Sequence, residues 1–191
     1  MTEGSHRPFL EALALPDGAL EPLGAYLDLL ASWSPRVNLT GAKTAASRVE
    51  LLVAAVVPAL ALLEPGPLLD VGSGNGSPGL VLALLRPSVP STLLEPRARR
   101  WAFLREAARG AGRPDIEVLR QRHDQYRGAP ARNVTIRGLA LPLQELGPLV
   151  LAGGRLLVFG HEPPPHGTFV KETEVVLKES RLSVFRRPCF T

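Results

Sequence analysis

One cysteine, Cys189, in 191 residues excludes a disulfide framework, and no cysteine–histidine cluster has metal-ligand spacing. Neither redox nor metal chemistry is expected. No uncharged apolar run reaches the roughly 18 residues of a membrane helix, and Met1 to Pro8 lacks the basic-then-apolar order of a secretory leader. We expect an intracellular, cytoplasmic protein with no membrane attachment. Lysine is missing from Arg97 to Arg137, which holds eleven arginines against four acids. That stretch carries a surplus of seven charges in a chain whose net charge is +4, so the remainder is net acidic. A polyanion is one partner such a distribution fits; solvated helix faces decorated with arginine are the other reading. The 19 prolines and 18 glycines point to a GC-rich genome and not to low complexity, because apolar periodicity persists throughout.

That periodicity divides the chain. Leu20, Leu23, Tyr26, Leu27, Leu30 and Trp33, then Val49, Leu52, Val53, Val56, Val57 and Leu60, recur at helical steps. Ser34-Pro35 and the segment Asn38 to Gly41 separate the two groups, and Pro65-Gly66-Pro67 breaks the chain after them. Residues 1–66 are therefore read as an N-terminal helical extension and 67–191 as the core, together one structural unit of a size that buries one real core. In the core, strands are expected at 67–71, 91–95, 116–119, 133–137 and 155–159, with helices at 78–86, 97–110 and 142–152. A final pair of strands is expected at 168–177 and 181–187, preceded by a proline-rich loop at 162–167. This alternation predicts an α/β doubly wound fold: a mostly parallel, Rossmann-like sheet with helices on both faces. A ligand belongs at the carboxyl ends of its strands.

The most informative segment is Leu68 to Leu80, where an apolar run stops at Asp70 and opens into Gly72, Ser73, Gly74 and Gly76, followed by Pro78 and Gly79. Alternate glycines permit dihedrals closed to other residues and leave main chain free to meet a ligand. Dinucleotide folds space their glycines G-x-G-x-x-G; the acid-x-G-x-G-x-G order resembles motif I of S-adenosylmethionine (SAM) methyltransferases. An ordinary Asp/Gly turn is the alternative. Glu95 ends the second strand, where a carboxylate can accept both ribose hydroxyls or, instead, stabilise the following helix N-terminus. His123 and Asp124 follow the third strand, where Asp124 could accept from an adenine amine or merely cap a surface turn. Arg137 ends the fourth strand and would face a substrate base or phosphate, or else reach water.

Four segments carry a more specific likeness. Trp33 to Thr40 resembles W-N-x-x-x-N-L-T. Asp70 to Gly79 resembles D-V-G-[ST]-G-x-G-x-P-G. Thr92 to Leu104 is similar to T-L-L-[DE]-x-x-x-K-[RK]-x-x-F-L, and Ile136 to Ala140 to S-R-A-x-A. In this order, within residues 22–160, they resemble the RsmG family (glucose-inhibited division protein B). The resemblance implies a class I SAM-dependent methyltransferase with a seven-stranded sheet that methylates guanine N7 in the 530 loop of 16S ribosomal RNA. It also implies SAM as cofactor, held by Asp70, Gly72, Ser73, Gly74, Gly76, Gly79, Glu95, His123, Asp124 and Arg137, with Arg137 in the catalytic role. The expected partner is 16S rRNA or a small-subunit assembly intermediate, met by a monomer without metal. The chain departs from the family pattern at Leu51 to Val56, apolar where family members carry R-H-x-x-D-S, at Ile136, and at Phe159-Gly160-His161, which lacks a lysine. A homologue that binds SAM with lost or altered transfer is the alternative these departures leave open. A methyltransferase acting on small molecules or proteins and an NAD-dependent oxidoreductase are more distant ones.

Overall fold

A computed structural model describes residues 5–160, 167–178 and 180–189. The helical part comprises α1 (Arg7–Glu11), α2 (Leu20–Trp33) and α3 (Ala45–Val49), the last running into a π-helical turn, Glu50–Ala54, and a 3-10 segment, Val57–Leu62. The remainder is β1 (Leu68–Val71), α4 (Gly79–Leu85), β2 (Ser91–Leu94), α5 (Ala98–Gly110), β3 (Glu117–Leu119), β4 (Ala131–Arg137), α6 (Leu143–Leu146), β5 (Val150–Phe159), β6 (Val170–Val176) and β7 (Arg181–Arg186). Seven strands form one sheet in the order β3-β2-β1-β4-β5-β7-β6. The first five are parallel; β7 pairs antiparallel with both β5 and β6.

The order reverses between β1 and β4, so their carboxyl ends splay apart and leave a crevice. Side-chain alternation sorts the core into two layers. Leu68, Leu157, Phe159, Leu182 and Val184 face α2, α4 and α5, while Leu69, Val71, Val134, Ile136, Leu156 and Val158 face α6 and its surroundings. All seven residues of α4 are buried; fully burying each of its leucines contributes roughly 1.5–3 kcal/mol. The α5 helix presents Phe103, Leu104, Ala107 and Ala108 to the core, and Phe103 meets Trp33 at a 5.7 Å ring separation. The helical N-terminal segment shares the first core layer and is pinned at its end by Asn133, whose side chain bonds both the amide and the carbonyl of Glu64.

Among the described residues, one helical stretch, Ala45–Leu62, is long and apolar enough to cross a membrane, with a mean hydropathy of 1.8. In this fold it is three different helical pieces, and Val49, Leu52, Val53, Val56 and Ala59 are buried in the protein core.

The helix expected at 142–152 is a correction. Only Leu143–Leu146 is α-helical; Gly147–Leu149 is a 3-10 turn and β5 begins at Val150. Pro148 cannot donate the next helical hydrogen bond, and the apolar residues beyond it extend β5 instead. The proline-rich loop read at 162–167 lies outside the described residues except for Gly167.

Candidate functional site

The glycine loop leaves β1 at the crevice with Gly72, Gly74 and Gly76 at φ 70°, 52° and 97°, a region that side-chain-bearing residues seldom enter. Gly79 has a different reason to be glycine: a Cβ there would lie 2.3 Å from the Asp70 side chain. The loop can therefore fold back onto the end of its own strand.

Asp70 sits beneath that loop. Parallel pairing sets it beside Thr135 on β4, whose hydroxyl donates to Asp70 Oδ1 at 2.5 Å. Ser73 Oγ donates to the Asp70 carbonyl. Oδ2 is buried without a hydrogen-bond partner, and the Ser73 hydroxyl and Gly79 amide nearby favour the charged carboxylate. Burial pushes the Asp70 carboxyl up to about 6 against the pull of Thr135.

Glu95 ties the loop to the second strand. It is buried, and its Oε2 accepts from the Gly74 amide at 3.0 Å while Oε1 accepts from the Arg97 amide at 2.7 Å. Each oxygen keeps a lone pair. Glu95 and Gly72 line a cleft of about 230 Å³ together with Arg97, Arg100, Arg122, His123 and Leu139. Three arginines thus stand on one rim of the crevice. Arg100 is held by the carbonyl of Asn38 at 2.9 Å, and the His123 ring meets Glu145 Oε2 on α6 at 2.9 Å.

Residues from the helical segment clamp the loop from the other side. The buried Tyr26 hydroxyl donates to the Asn75 carbonyl at 2.9 Å, and Asn75 Nδ2 donates to the Leu39 carbonyl at 3.1 Å. Burial raises the Tyr26 phenol beyond its ordinary range, so it stays a donor. Ser77 Oγ donates to the Leu52 carbonyl at 2.8 Å and accepts from Arg137 Nη1 at 2.8 Å. The π-helical turn makes the first of these bonds possible. There the Val56 amide bonds Val53 in place of Leu52, which leaves the Leu52 carbonyl for Ser77.

Arg137 is mostly enclosed; burial lowers its guanidinium, and the nearby Tyr26 and Asp70 pull it back up. It lines a second pocket, on the side of the loop away from Glu95. The structure thus brings Asp70, Gly72, Ser73, Gly74, Glu95 and His123 together at the cleft or directly under it. Gly76 packs against Tyr26 and Leu80, and Gly79 against Asp70. Asp124 stands apart, exposed and ion-paired with Arg122. Sequence reasoning missed Thr135, Glu145, Tyr26, Ser77, Arg100 and Leu139. Ser77, Arg100 and Leu139 lie inside segments whose pattern was read but were not singled out there, whereas strand adjacency or a loop return alone brings in Thr135, Glu145 and Tyr26.

The model of the family described as rRNA small subunit methyltransferase G (GidB) matches residues 19–158. A protein named ribosomal RNA small subunit methyltransferase G from Alkalilimnicola ehrlichii is 36% identical over 149 residues, covering 76% of this chain and 68% of that protein. Its namesake from Rhodospirillum centenum is 42% identical over 135 residues, 69% of this chain and 61% of that protein. The matched region thus spans about two thirds or less of these relatives. Among solved structures, an RNA methyltransferase from Salinibacter ruber in complex with S-adenosyl-L-homocysteine superposes with a TM-score of 0.61 at 19% identity, covering 71% of this chain and 91% of that one. A SAM-dependent methyltransferase from Aquifex aeolicus gives 0.57 at 17% identity, covering 73% and 92%. These likenesses show a class I SAM-methyltransferase fold.

Proposed function

The chain belongs to the rRNA small subunit methyltransferase G family, and from that premise we propose that it transfers a methyl group from SAM to guanine N7 in 16S ribosomal RNA, in the cytoplasm. The observation that carries the reading is the pairing of a built cofactor cleft with a cation at the end of β4. The cleft fits SAM chemically: Glu95 keeps a lone pair on each oxygen for two ribose hydroxyls, and Gly72 and Gly74 offer main chain without a Cβ. The buried, unpartnered Oδ2 of Asp70 supplies negative potential beneath the loop. His123, braced by Glu145, lines the side where a nucleobase would lie, and Asp124 would have to turn from Arg122 to join it.

When bound, SAM supplies an electrophilic methyl carbon on a sulfonium, whose transfer leaves neutral sulfur and moves the positive charge to the base. Guanine N7 has an in-plane lone pair that is unprotonated at neutral pH, so the chain needs no general base. What its residues must do is position. The clamp from Tyr26, Asn75 and Ser77 fixes the loop, and Arg137, anchored on Ser77, holds the RNA base or its phosphate in line. The helical segment 1–66 acts in this reading as an extension that stiffens the loop.

N7 in duplex RNA faces a deep, narrow groove. The substrate is therefore a loop or an open assembly intermediate, approached through phosphate attraction to the arginines of 97–137. The family match does not favour a homologue that binds SAM without transferring its methyl group. Incubating the protein with labelled SAM and small-subunit RNA from a strain lacking the enzyme, then mapping the modified base, tests the proposal. Label on a guanine N7 supports it; bound SAM with no label on RNA overturns it.

A further inference from the structure

The segment Glu50 to Pro58 is apolar on two faces: one is buried in the core, and the other, where Leu51 also packs against the core's edge, is partly open. Leu52, Val53, Val56 and Ala59 are buried. Leu51, Ala54, Ala55 and Pro58, at helical spacing on the other face, form one wall of the pocket that Arg137 lines. Val176 and Leu177, at the end of β6, form the facing wall. The pocket measures about 360 Å³, inside the roughly 300–1,000 Å³ typical of small-molecule sites.

Its polar groups stand at opposite ends. At the inner end is Arg137, mostly enclosed and bonded to Ser77 of the glycine loop. At the mouth Glu50 Oε1 and Lys178 Nζ meet at 3.2 Å, both well exposed. Two apolar walls with a cation at one end and a carboxylate at the other suit a flat ring that has acceptors on one edge and donors on the opposite edge. Guanine is such a ring: O6 and N7 accept on its Hoogsteen edge, while N1–H and the N2 amino group donate on its Watson–Crick edge. Adenine, with an acceptor at N1, does not match the carboxylate.

Resting on the proposed function, we propose that this pocket seats the target guanine, with Glu50 reading its Watson–Crick edge as the specificity-determining residue. The N7 edge then points inward, O6 accepts from Arg137, and N7 is left free for the methyl. A guanidinium has five donors, and Ser77 uses one of them. Glu50 exchanges Lys178 for the base, which leaves Lys178 at the mouth beside the incoming nucleotide's phosphate. Leu51, Ala54 and Ala55, within the stretch that departs from the family's polar pattern, are on this account the stacking wall.

The test is methyl transfer to small-subunit RNA assembled with either guanosine or inosine at the mapped position, since inosine lacks only the N2 amino group. The wild-type protein is expected to prefer guanosine in kcat/KM by about 10- to 100-fold, the effect of one unmade bond to a charged acceptor. Glu50→Ala should bring the ratio to within about 3-fold of unity, with SAM affinity by calorimetry unchanged, because Glu50 does not line the cofactor cleft. Lys178→Met should lower both rates and keep the ratio, which separates base reading from simple pinning of helix to strand. A wild-type protein indifferent to inosine, or a Glu50→Ala protein that keeps the full preference, overturns the assignment while methylation itself stands. A wild-type protein that methylates no guanine N7 overturns the proposed function and this assignment together.

Discussion

Thr135 on β4 donates a 2.5 Å hydrogen bond to Oδ1 of Asp70 on β1, while Oδ2 of the same carboxyl is buried with no partner. Half of the carboxylate is thus satisfied by the neighbouring strand and half is kept in reserve under the glycine loop. A group held this way weakens the fold in exchange for its potential at the site.

Stability should record that cost. Asp70 is raised from its ordinary 3.8 to about 6, so between those pH values the folded state binds more protons than the unfolded one. Its contribution therefore becomes less favourable as pH rises through the window, reaching a loss of at most about 3 kcal/mol at neutral pH. Asp70→Asn should gain on the order of 1–2 kcal/mol in urea unfolding at pH 7.5, with the gain shrinking toward pH 4, and should bind SAM more weakly. Equal stability differences at both pH values would mean that Asp70 titrates normally.

Glu95 tethers two amides and lines the cleft. Replacing it by alanine leaves the Gly74 amide without its acceptor and removes the proposed ribose partner. SAM affinity should fall about 10- to 100-fold, as expected for a lost charge-assisted pair. Calorimetric titration measures this, and an unchanged Kd would assign Glu95 to helix capping alone.

Arg137 lines the pocket on the far side of the loop from Glu95. Arg137→Ala should therefore keep SAM affinity within about 3-fold while lowering single-turnover methylation by about 10²–10³, the scale of removing one positioned donor. Weakened cofactor binding with full turnover would reverse the two roles.

Ser77 couples Arg137 to the Leu52 carbonyl. Ser77→Ala leaves that carbonyl unpaired and lets Arg137 swing, at a stability loss of about 1–2 kcal/mol. The methylation rate should fall with it. The mutant's rate should recover less than its folding does when glycerol is added, since restoring the fold does not restore the anchor.

RNA binding should be salt-sensitive. The logarithm of affinity is expected to fall linearly with the logarithm of salt, by about 0.7 per phosphate contacted on single strands. Reversing the exposed Arg99 to Glu should flatten that slope. A slope near zero would show that the arginines of 97–137 only solvate helix faces.

Much of this was legible in the chain. The break at Pro65 to Pro67, the strand ends at Asp70, Glu95 and Arg137, and the glycine loop follow from patterns that short-range sterics impose on neighbouring residues, and the structure puts them close to where they were read. The one helix read wrongly, beyond Leu146, had an apolar run that fits strand or helix equally until Pro148 is weighed. The apolar segment Leu51 to Val56 looked like a plain loss of polar residues. Its π-helical turn, which frees a carbonyl for Ser77, has no local signature.

The sequence by itself determined the class of fold, the cofactor loop and the families of chemistry that one cysteine and an arginine-rich stretch leave open, because local sterics and apolar period act over a few residues. Only the tertiary structure decided that Asp70 meets Thr135, that His123 is braced by Glu145, and that Asp124 faces solvent. It alone set Glu95 and Arg137 on opposite sides of one loop. Those relations join residues tens of positions apart, and what fixes them is strand order and the burial of two core layers, which no window of neighbouring residues contains.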